Sequence, residues 1–381
     1  MTHSALVETL EELALIDHHV HGAISVPLDR DEFEHVITES DRPRRAGCSN
    51  FDTQVGLAIR KWCAPALGLE AFASPDEYVA RRLELGPRAV NEALLRGAHL
   101  GGLLIDTGFA TGTLLNVNQM ADASRAPAWE IVRLEAVAER VITRYNASTF
   151  ADHVRTALSE AVAAGAKGTK SIAAYRYGLD VPQARPSEAD VAAAAGTWLY
   201  EIDATGRNRV SHPVLLSFLM WSAVDLALPL QFHVGYGDSD IRLLRANPAL
   251  LTDFMVATQE SGCDIMLLHC YPYHREAAYL AQMFPHVFFD IGEAINYSGL
   301  QSVQIVRESL EIAPFYKQLY SSDGWGPAEL HFLGARLWRN AMTEVLSQWV
   351  DRDECTLADA CRFATLIGRD NAAAVYGVQP K

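Results

Sequence analysis

The stretch LALIDHHVH, residues 13–21, joins a short apolar run to three histidines. In a β-strand, side chains two positions apart point to the same face. His19 and His21 would therefore project side by side from the end of a strand, about 6–7 Å apart at Cα, while His18 faces the other way and packs. Such a pair suits one divalent metal ion. The alternative is a chance pair on the surface or in the core, so the pattern of the later strands decides.

Short apolar segments alternate with helix-like segments along the rest of the chain, which is typical of parallel βα units. We predict eight strands, at residues 13–17, 103–106, 131–133, 167–174, 230–233, 265–269, 287–291 and 318–322. Eight strands, each followed by a helix, is the count of a (β/α)8 TIM barrel. The predicted fold class is therefore α/β, with one barrel domain over residues 1–381.

The connection between the first and second predicted strands is far longer than a βα connection needs. Residues 29–98 within it are rich in arginine and aromatic side chains and read as several helices. We expect a helical insertion over the barrel mouth, with a separate small domain as the alternative. After Asp323, residues 330–348 and 356–367 predict extra C-terminal helices, and 363–376 a final helix capped by Gly377.

Composition excludes several classes of partner. The formal net charge is −15 and the pI is about 5.3, so a polyanion such as nucleic acid would be repelled. No apolar run is long enough for a membrane span, and the acidic start of the chain lacks the order of a signal peptide. Six cysteines without a CxxC pair favour a reduced, cytoplasmic setting. We expect a small-molecule substrate and a homo-oligomer.

Four further predicted strands end in residues with metal-binding or acid–base chemistry. These are Lys170 on the fourth strand, His233 on the fifth, His269 on the sixth and Asp323 after the eighth. Barrel enzymes carry their reactive groups at these strand ends, and packing alone does not supply them, because buried polar groups are costly. The alternative for Asp323 is a turn residue, since Asp-Gly is common in turns.

This arrangement of strand ends resembles the amidohydrolase superfamily. More narrowly, KSIAAYRYGLD (170–180), QFHVGYGDSDI (231–241), LLHCYPYHREAAYLA (267–281) and VFFDIGEA (287–294) are similar to the amidohydrolase-related group. That group includes the N-terminal domain of FluG-type and nodulin-like proteins, where it is fused to a glutamine synthetase module. The match extends from Ile16 to Asp323 with the strand order intact.

The resemblance implies a metal centre. His19, His21 and Asp323 would bind one ion, and His233 would complete a site for a single metal. The donor set favours Zn²⁺, with Mn²⁺ and Fe²⁺ as alternatives, and one or two ions are implied.

Two further residues separate the one-metal from the two-metal arrangement. In two-metal members the fourth-strand lysine is carboxylated and bridges both ions, which would be the role of Lys170, with His233 and His269 on the second ion. The alternatives are an ordinary Lys170 that pairs with a carboxylate or binds substrate, and a His269 that acts as a proton donor polarising the substrate.

The implied activity is hydrolysis of a C–N amide bond by a metal-activated water. Asp323 and His269 would be catalytic: Asp323 takes the water proton and returns it to the leaving group, and His269 or the metal stabilises the oxyanion. Association of relatives with glutamine synthetase modules favours a small acidic substrate such as a γ-glutamyl amide. The alternatives are a metal-dependent non-oxidative decarboxylase and a non-catalytic barrel that serves as a binding module.

Candidate substrate-binding residues follow the strands, where loops meet the barrel mouth. An arginine there can hold a substrate carboxylate through two hydrogen bonds. The alternative for each residue is a surface ion pair or a packing role. The candidates are Arg133, Tyr175, Arg176, Tyr271, Glu293 and Trp325.

Overall fold

The structure, a computed structural model, describes residues 3–109 and 112–381. Its seven strands are adjacent in the order in which they occur along the chain. They are β1 Leu15–Val20, β2 Leu100–Asp106, β3 Ala128–Arg133, β4 Gly168–Ser171, β5 Leu230–His233, β6 Ile265–Leu268 and β7 Val287–Phe289. The pairing of β1 with β2 and the pairings from β3 through β7 are parallel. The predicted α/β fold class of the (β/α)8 type is confirmed.

The predicted eighth strand is not a regular strand. Residues 319–325 have no strand assignment, yet this segment runs beside β1. The N–H of His18 donates to the Tyr320 carbonyl at 3.2 Å, and the N–H of His21 donates to the Gly324 carbonyl at 2.9 Å. Asp323 has a φ of 47°, which leaves the extended region and interrupts a β ladder. The apolar pattern therefore predicted the position of this segment but not its backbone conformation.

The fourth strand is shorter than predicted. β4 ends at Ser171, and residues Ala173–Arg176 form a helical turn where an extended chain was expected. Oε1 of Glu135 accepts hydrogen bonds from the Ser171 hydroxyl at 2.8 Å and from the Ile172 N–H at 3.0 Å. Because the Ile172 N–H donates to Glu135, it is not available for a hydrogen bond to a neighbouring strand, and β4 ends before it.

The chain forms two compact units. The first contains residues 1–128, 237–239 and 290–381. It carries β1 and β2, which pair in parallel with Leu15 opposite Leu100 and Val20 opposite Ile105. Its α-helices are α1 Ser4–Glu12, α2 Arg30–Val36, α3 Gln54–Ala58, α4 Ala64–Ala66, α5 Pro75–Gly97, α6 Val117–Ser124, α14 Ala294–Ser298, α15 Ser302–Ser309, α16 Ala328–Asp351, α17 Leu357–Thr365 and α18 Asn371–Tyr376.

Residues 29–98 are largely helical, and their sequence encodes where two of the helices begin. Asp29 with Glu32, and Ser74 with Glu77, form capping boxes that satisfy the first backbone N–H groups of α2 and α5. Gly86, with φ 75°, kinks α5 before Pro87. The interpretation of residues 1–381 as one domain with an insertion over the barrel mouth stays a prediction.

A buried charged cluster attaches this helical segment to α16 within the first unit. The guanidinium of Arg82 lies 2.5 Å from Glu329 Oε1, and the Tyr78 hydroxyl donates to the same oxygen at 2.7 Å. Glu329 and Tyr78 are fully buried and Arg82 nearly so. A charge is tolerated at such depth only when it is paired and hydrogen-bonded, so this cluster fixes α5 against α16 specifically.

The second unit contains residues 129–236 and 240–289. It carries β3–β7, and register places Arg133 opposite Lys170, Lys170 opposite Gln231 and His233 opposite Leu268. Its α-helices are α7 Leu134–Ile142, α8 Phe150–Ala163, α9 Ala173–Arg176, α10 Glu188–Thr205, α11 Pro213–Val224, α12 Thr252–Thr258 and α13 His274–Met283. All four residues of β4, β5 and β6 are buried, as expected for parallel strands covered on both faces.

Within residues 3–109 and 112–381, no helix combines the length and the apolarity that crossing a membrane requires. The cytoplasmic location stays a prediction.

Candidate metal centre

Two histidines and an aspartate converge in the first unit. His19 lies on β1 and His21 follows directly after it, so both project from the C-terminal end of the strand. Oδ1 of Asp323 lies 3.2 Å from His19 Nε2 and 3.5 Å from His21 Nε2. One ligand atom from each residue lies within 4.8 Å of the others. Two imidazole nitrogens and a carboxylate oxygen at this spacing are the donor set of a divalent metal site.

A hydrogen bond at its second ring nitrogen orients the imidazole of His21. Nδ1 of His21 lies 3.2 Å from the backbone carbonyl of Asp106. A carbonyl only accepts hydrogen bonds, so Nδ1 is the donor and Nε2 faces Asp323. This is the arrangement by which proteins orient histidine ligands toward a metal.

Asp17 supports the segment that carries Asp323. Its Oδ1 accepts a hydrogen bond from the Ser322 N–H at 2.9 Å, and its other oxygen accepts from the Ser322 hydroxyl. Burial raises the pKa of Asp17 to about 7, partly offset by these bonds. Because Ser322 immediately precedes Asp323, the position of the candidate ligand depends on a carboxylate of β1.

Position 324 requires glycine because the backbone there passes close to the ring of His331. A Cβ at this position would lie 2.6 Å from Cγ of His331 on α16, closer than van der Waals contact allows. His331 is fully buried, and burial lowers its pKa to about 3. The imidazole therefore stays neutral and fills the space beneath the segment that holds Asp323.

His18, which we expected to pack away from the metal ligands, occupies a buried hydrogen-bonded site. Its Nε2 lies 2.9 Å from Asp290 Oδ2, and its Nδ1 lies 3.1 Å from the Tyr376 hydroxyl. All of this lies within the first unit. His18 thus connects β1 to the residues after β7 and to the C-terminal helix α18, which is a structural role.

Aromatic rings stand beside His21. The ring of Phe109 lies 4.8 Å from that of His21, and the ring of Trp325 lies 5.9 Å from that of Phe109. Nε1 of Trp325 is a buried donor without an acceptor in the part of the chain that the structure describes. A buried N–H without an acceptor is costly, so Trp325 is a candidate for a hydrogen bond to the substrate.

Glu39 is a candidate site residue that sequence reasoning missed. The Tyr297 hydroxyl donates to Glu39 Oε1 at 2.7 Å, and the carboxyl of Glu39 also contacts that of Glu293, a predicted substrate residue. Burial raises the pKa of Glu39 to about 7. Glu293 is 2% exposed and has a φ of 23°. Nothing in the local sequence around Glu39 relates it to residues so far along the chain.

The second unit brings other predicted residues together. His233 ends β5 and His269 follows β6, and their rings lie 4.7 Å apart. The ring of Tyr175 lies 4.4 Å from that of His233. Lys170 on β4 is 1% exposed, and an ammonium so deeply buried needs a compensating partner or a chemical modification. Its carboxylation stays a prediction.

The remaining predicted substrate residues have different environments. Arg133 ends β3 and is buried, and Arg176 ends α9 beside Glu139, with Nη2 and Oε1 3.1 Å apart. Tyr271 is 40% exposed, and its ring lies 6.3 Å from Tyr236. These roles stay predictions, as does the assignment of Lys170, His233 and His269 as metal ligands.

Comparison with known proteins identifies the class. The profile of the amidohydrolase family matches residues 117–378, which is more than half of the chain. The chain belongs to the amidohydrolase family, as predicted. Together with the histidine–aspartate cluster, this membership defines a metal-dependent enzyme of the amidohydrolase superfamily.

Three individual proteins show how similar this chain is to known relatives and solved structures. A crystal structure from Lactobacillus casei, provisionally described as a metal-dependent hydrolase, is 30% identical, with 98% of this chain and 97% of that chain covered and a TM-score of 0.83. Protein fluG of Emericella nidulans is 28% identical over 98% of this chain. The chain spans about half of that relative, 47%. Glucuronate isomerase of Caulobacter crescentus shares the fold, with a TM-score of 0.68, 15% identity and 99% and 94% of the two chains covered.

Proposed function

We propose that this protein is a metal-dependent hydrolase of a C–N amide bond in a small acidic substrate such as a γ-glutamyl amide. The observation that carries the proposal is the convergence of His19, His21 and Asp323, whose ligand atoms lie within 4.8 Å of one another. The similarity to a provisionally described metal-dependent hydrolase over nearly the whole chain also supports it.

The donor set fits a divalent ion, and we propose Zn²⁺ because imidazole nitrogens with one carboxylate are characteristic zinc ligands. When bound, the ion lowers the pKa of a coordinated water toward about 7 and so supplies a nucleophile at neutral pH. The Asp106 carbonyl orients His21, and Asp17 holds the segment that carries Asp323.

The protein groups then divide the proton transfers. The carboxylate of Asp323 accepts a proton from the attacking water and returns it to the leaving nitrogen. His269 is the proposed hydrogen-bond donor to the carbonyl oxygen of the substrate, which stabilises the developing negative charge. Trp325, with its buried N–H, is the proposed contact to a polar atom of the substrate.

The test is amine release from a γ-glutamyl p-nitroanilide by the zinc-loaded protein. We expect turnover by the unaltered protein and by the Asp122→Asn variant, which changes an exposed aspartate of α6. The Asp323→Asn variant should lose at least about 100-fold in rate, because the general base is gone. Hydrolysis that survives in Asp323→Asn would overturn the proposal. Release of carbon dioxide from an aromatic acid, without amide hydrolysis, would support the decarboxylase alternative instead.

A further inference from the structure

We propose that Arg176, Arg133 and Arg209 in the second unit form a recognition site for one carboxylate group of the substrate. The inference deepens the proposed function, on which it rests, because it assigns the acidic part of the substrate to named residues. Arg209 was not among the residues predicted from the sequence.

Arg176 is the centre of this arginine cluster. Its side chain is 10% exposed, and its Nη2 lies 3.1 Å from Glu139 Oε1. Its Nε is buried without a hydrogen-bond acceptor in the part of the chain that the structure describes. The N–H donors of a guanidinium lie in one plane and match the two oxygens of a carboxylate. The buried Nε–H of Arg176 can therefore donate a hydrogen bond to an oxygen of a further carboxylate.

Two further guanidiniums lie near it. Arg209 donates through Nη2 to the Tyr175 carbonyl at 3.0 Å, one residue before Arg176, and Arg133 ends the neighbouring strand β3. Burial lowers the pKa of Arg176, and the charges of Arg209 and Arg133 lower it further, while Glu139 and Glu135 oppose this. Like charges repel each other, and an added anion stabilises such a group.

Two carboxylates of the protein lie against arginines of this cluster. Glu139 lies against Arg176, and Asp240 lies against Arg209 at 3.0 Å. Glu135 is fully buried, one of its oxygens accepts from Ser171 and Ile172, and burial raises its pKa. Glu139 contacts Nη2 of Arg176, and the buried Nε of the same guanidinium remains for a carboxylate of the substrate.

The cluster lies beside a candidate metal ligand of the same unit. Tyr175 precedes Arg176 on α9, and its ring contacts that of His233 at 4.4 Å. A carboxylate held by Arg176 would therefore position the rest of a small substrate close to the histidines that end β5 and follow β6.

The test uses two probes of matched shape, glutarate and its neutral diamide glutaramide. Binding is measured by titration calorimetry on the Asp323→Asn variant, which lacks the proposed general base and is expected to leave glutaramide intact during the titration. We expect glutarate to bind and glutaramide to bind at least tenfold more weakly. Arg176→Gln should weaken glutarate binding by about tenfold or more, because one charge-assisted pair is removed.

Glu139→Gln provides the opposite change. Removing the competing carboxylate should tighten glutarate binding several-fold, an effect that a purely structural role of Arg176 would not produce. Arg185→Gln is the control, because Arg185 forms an exposed ion pair with Asp225 in the same unit. It should bind glutarate as the parent does. If Arg176→Gln fails to fold, Glu139→Gln alone decides the question.

Equal binding of glutarate and glutaramide, or glutarate binding that Glu139→Gln leaves unchanged, would overturn the inference. The outcome that would contradict the proposed function is a different one. Glutarate binding that depends on Arg176, in a protein that hydrolyses no amide, would leave the carboxylate site standing and remove only the amidase reaction.

Discussion

Asp17 on β1 accepts a hydrogen bond of 2.9 Å from the backbone N–H of Ser322, the residue directly before Asp323. The strand that carries His19 and His21 therefore also positions the third candidate ligand, which comes from the other end of the chain. Metal affinity should depend on this connection as well as on the ligands themselves.

Asp17→Asn should reduce Zn²⁺ affinity by about 10- to 100-fold, the usual effect of removing a group that orients metal ligands. The amide cannot accept through both side-chain atoms, so it cannot reproduce both bonds to Ser322. Affinity is measured by competition with a chromogenic chelator. Asp122→Asn serves as the control, and an affinity equal to that of the parent would count against a supporting role of Asp17.

Adjacent histidines should respond differently to substitution. His19→Ala should abolish stoichiometric zinc binding, measured by elemental analysis. His18→Gln should retain zinc but lower the free energy of unfolding by about 1–3 kcal/mol, because it removes buried hydrogen bonds to Asp290 and Tyr376. Urea denaturation measures the second effect. A folded His18→Gln protein without zinc would show that His18 is itself needed for the metal site.

Substitution of two tryptophans, Trp325 and Trp221, should have opposite effects on activity and stability. Trp325→Phe should leave stability unchanged within about 0.5 kcal/mol, because Nε1 has no acceptor in the described residues, but lower kcat/KM about tenfold. Trp221→Phe should do the reverse, since its Nε1 donates to the Gln183 carbonyl at 3.0 Å. Stability by urea titration and kinetics on the same samples compare the two. Equal activity of Trp325→Phe and the parent would exclude the proposed contact.

His331 should make the fold sensitive to acid. Its pKa is about 3 in the folded protein against about 6.5 in an unfolded chain. The unfolded state therefore takes up a proton first as the pH falls, and stability drops between about pH 6.5 and 3. From pH 7 to pH 5 this group should contribute a loss of about 2 kcal/mol. His331→Gln should show a smaller drop over that interval in urea titrations, and an identical drop would contradict the assignment.

Local patterns predicted the strands that carry the candidate residues. The segment 230–233 was predicted with the bounds that β5 has, and the alternation of side chains separated His18 from His19 and His21. These features depend on backbone geometry and on the burial of neighbouring residues, and a few consecutive residues are enough to predict both.

Only the tertiary structure decided the features that depend on distant contacts. The left-handed backbone at Asp323 interrupts the expected eighth strand. The Tyr297 hydroxyl donates to Glu39, and Arg209 donates to the Tyr175 carbonyl. No pattern in the local sequence relates these partners. The sequence by itself determined the order of strands and which positions carry metal-competent side chains, because periodicity is a local property. The meeting of those side chains, and the charges that surround them, depended on folding, because chain segments far apart in sequence become neighbours only when a common core is buried.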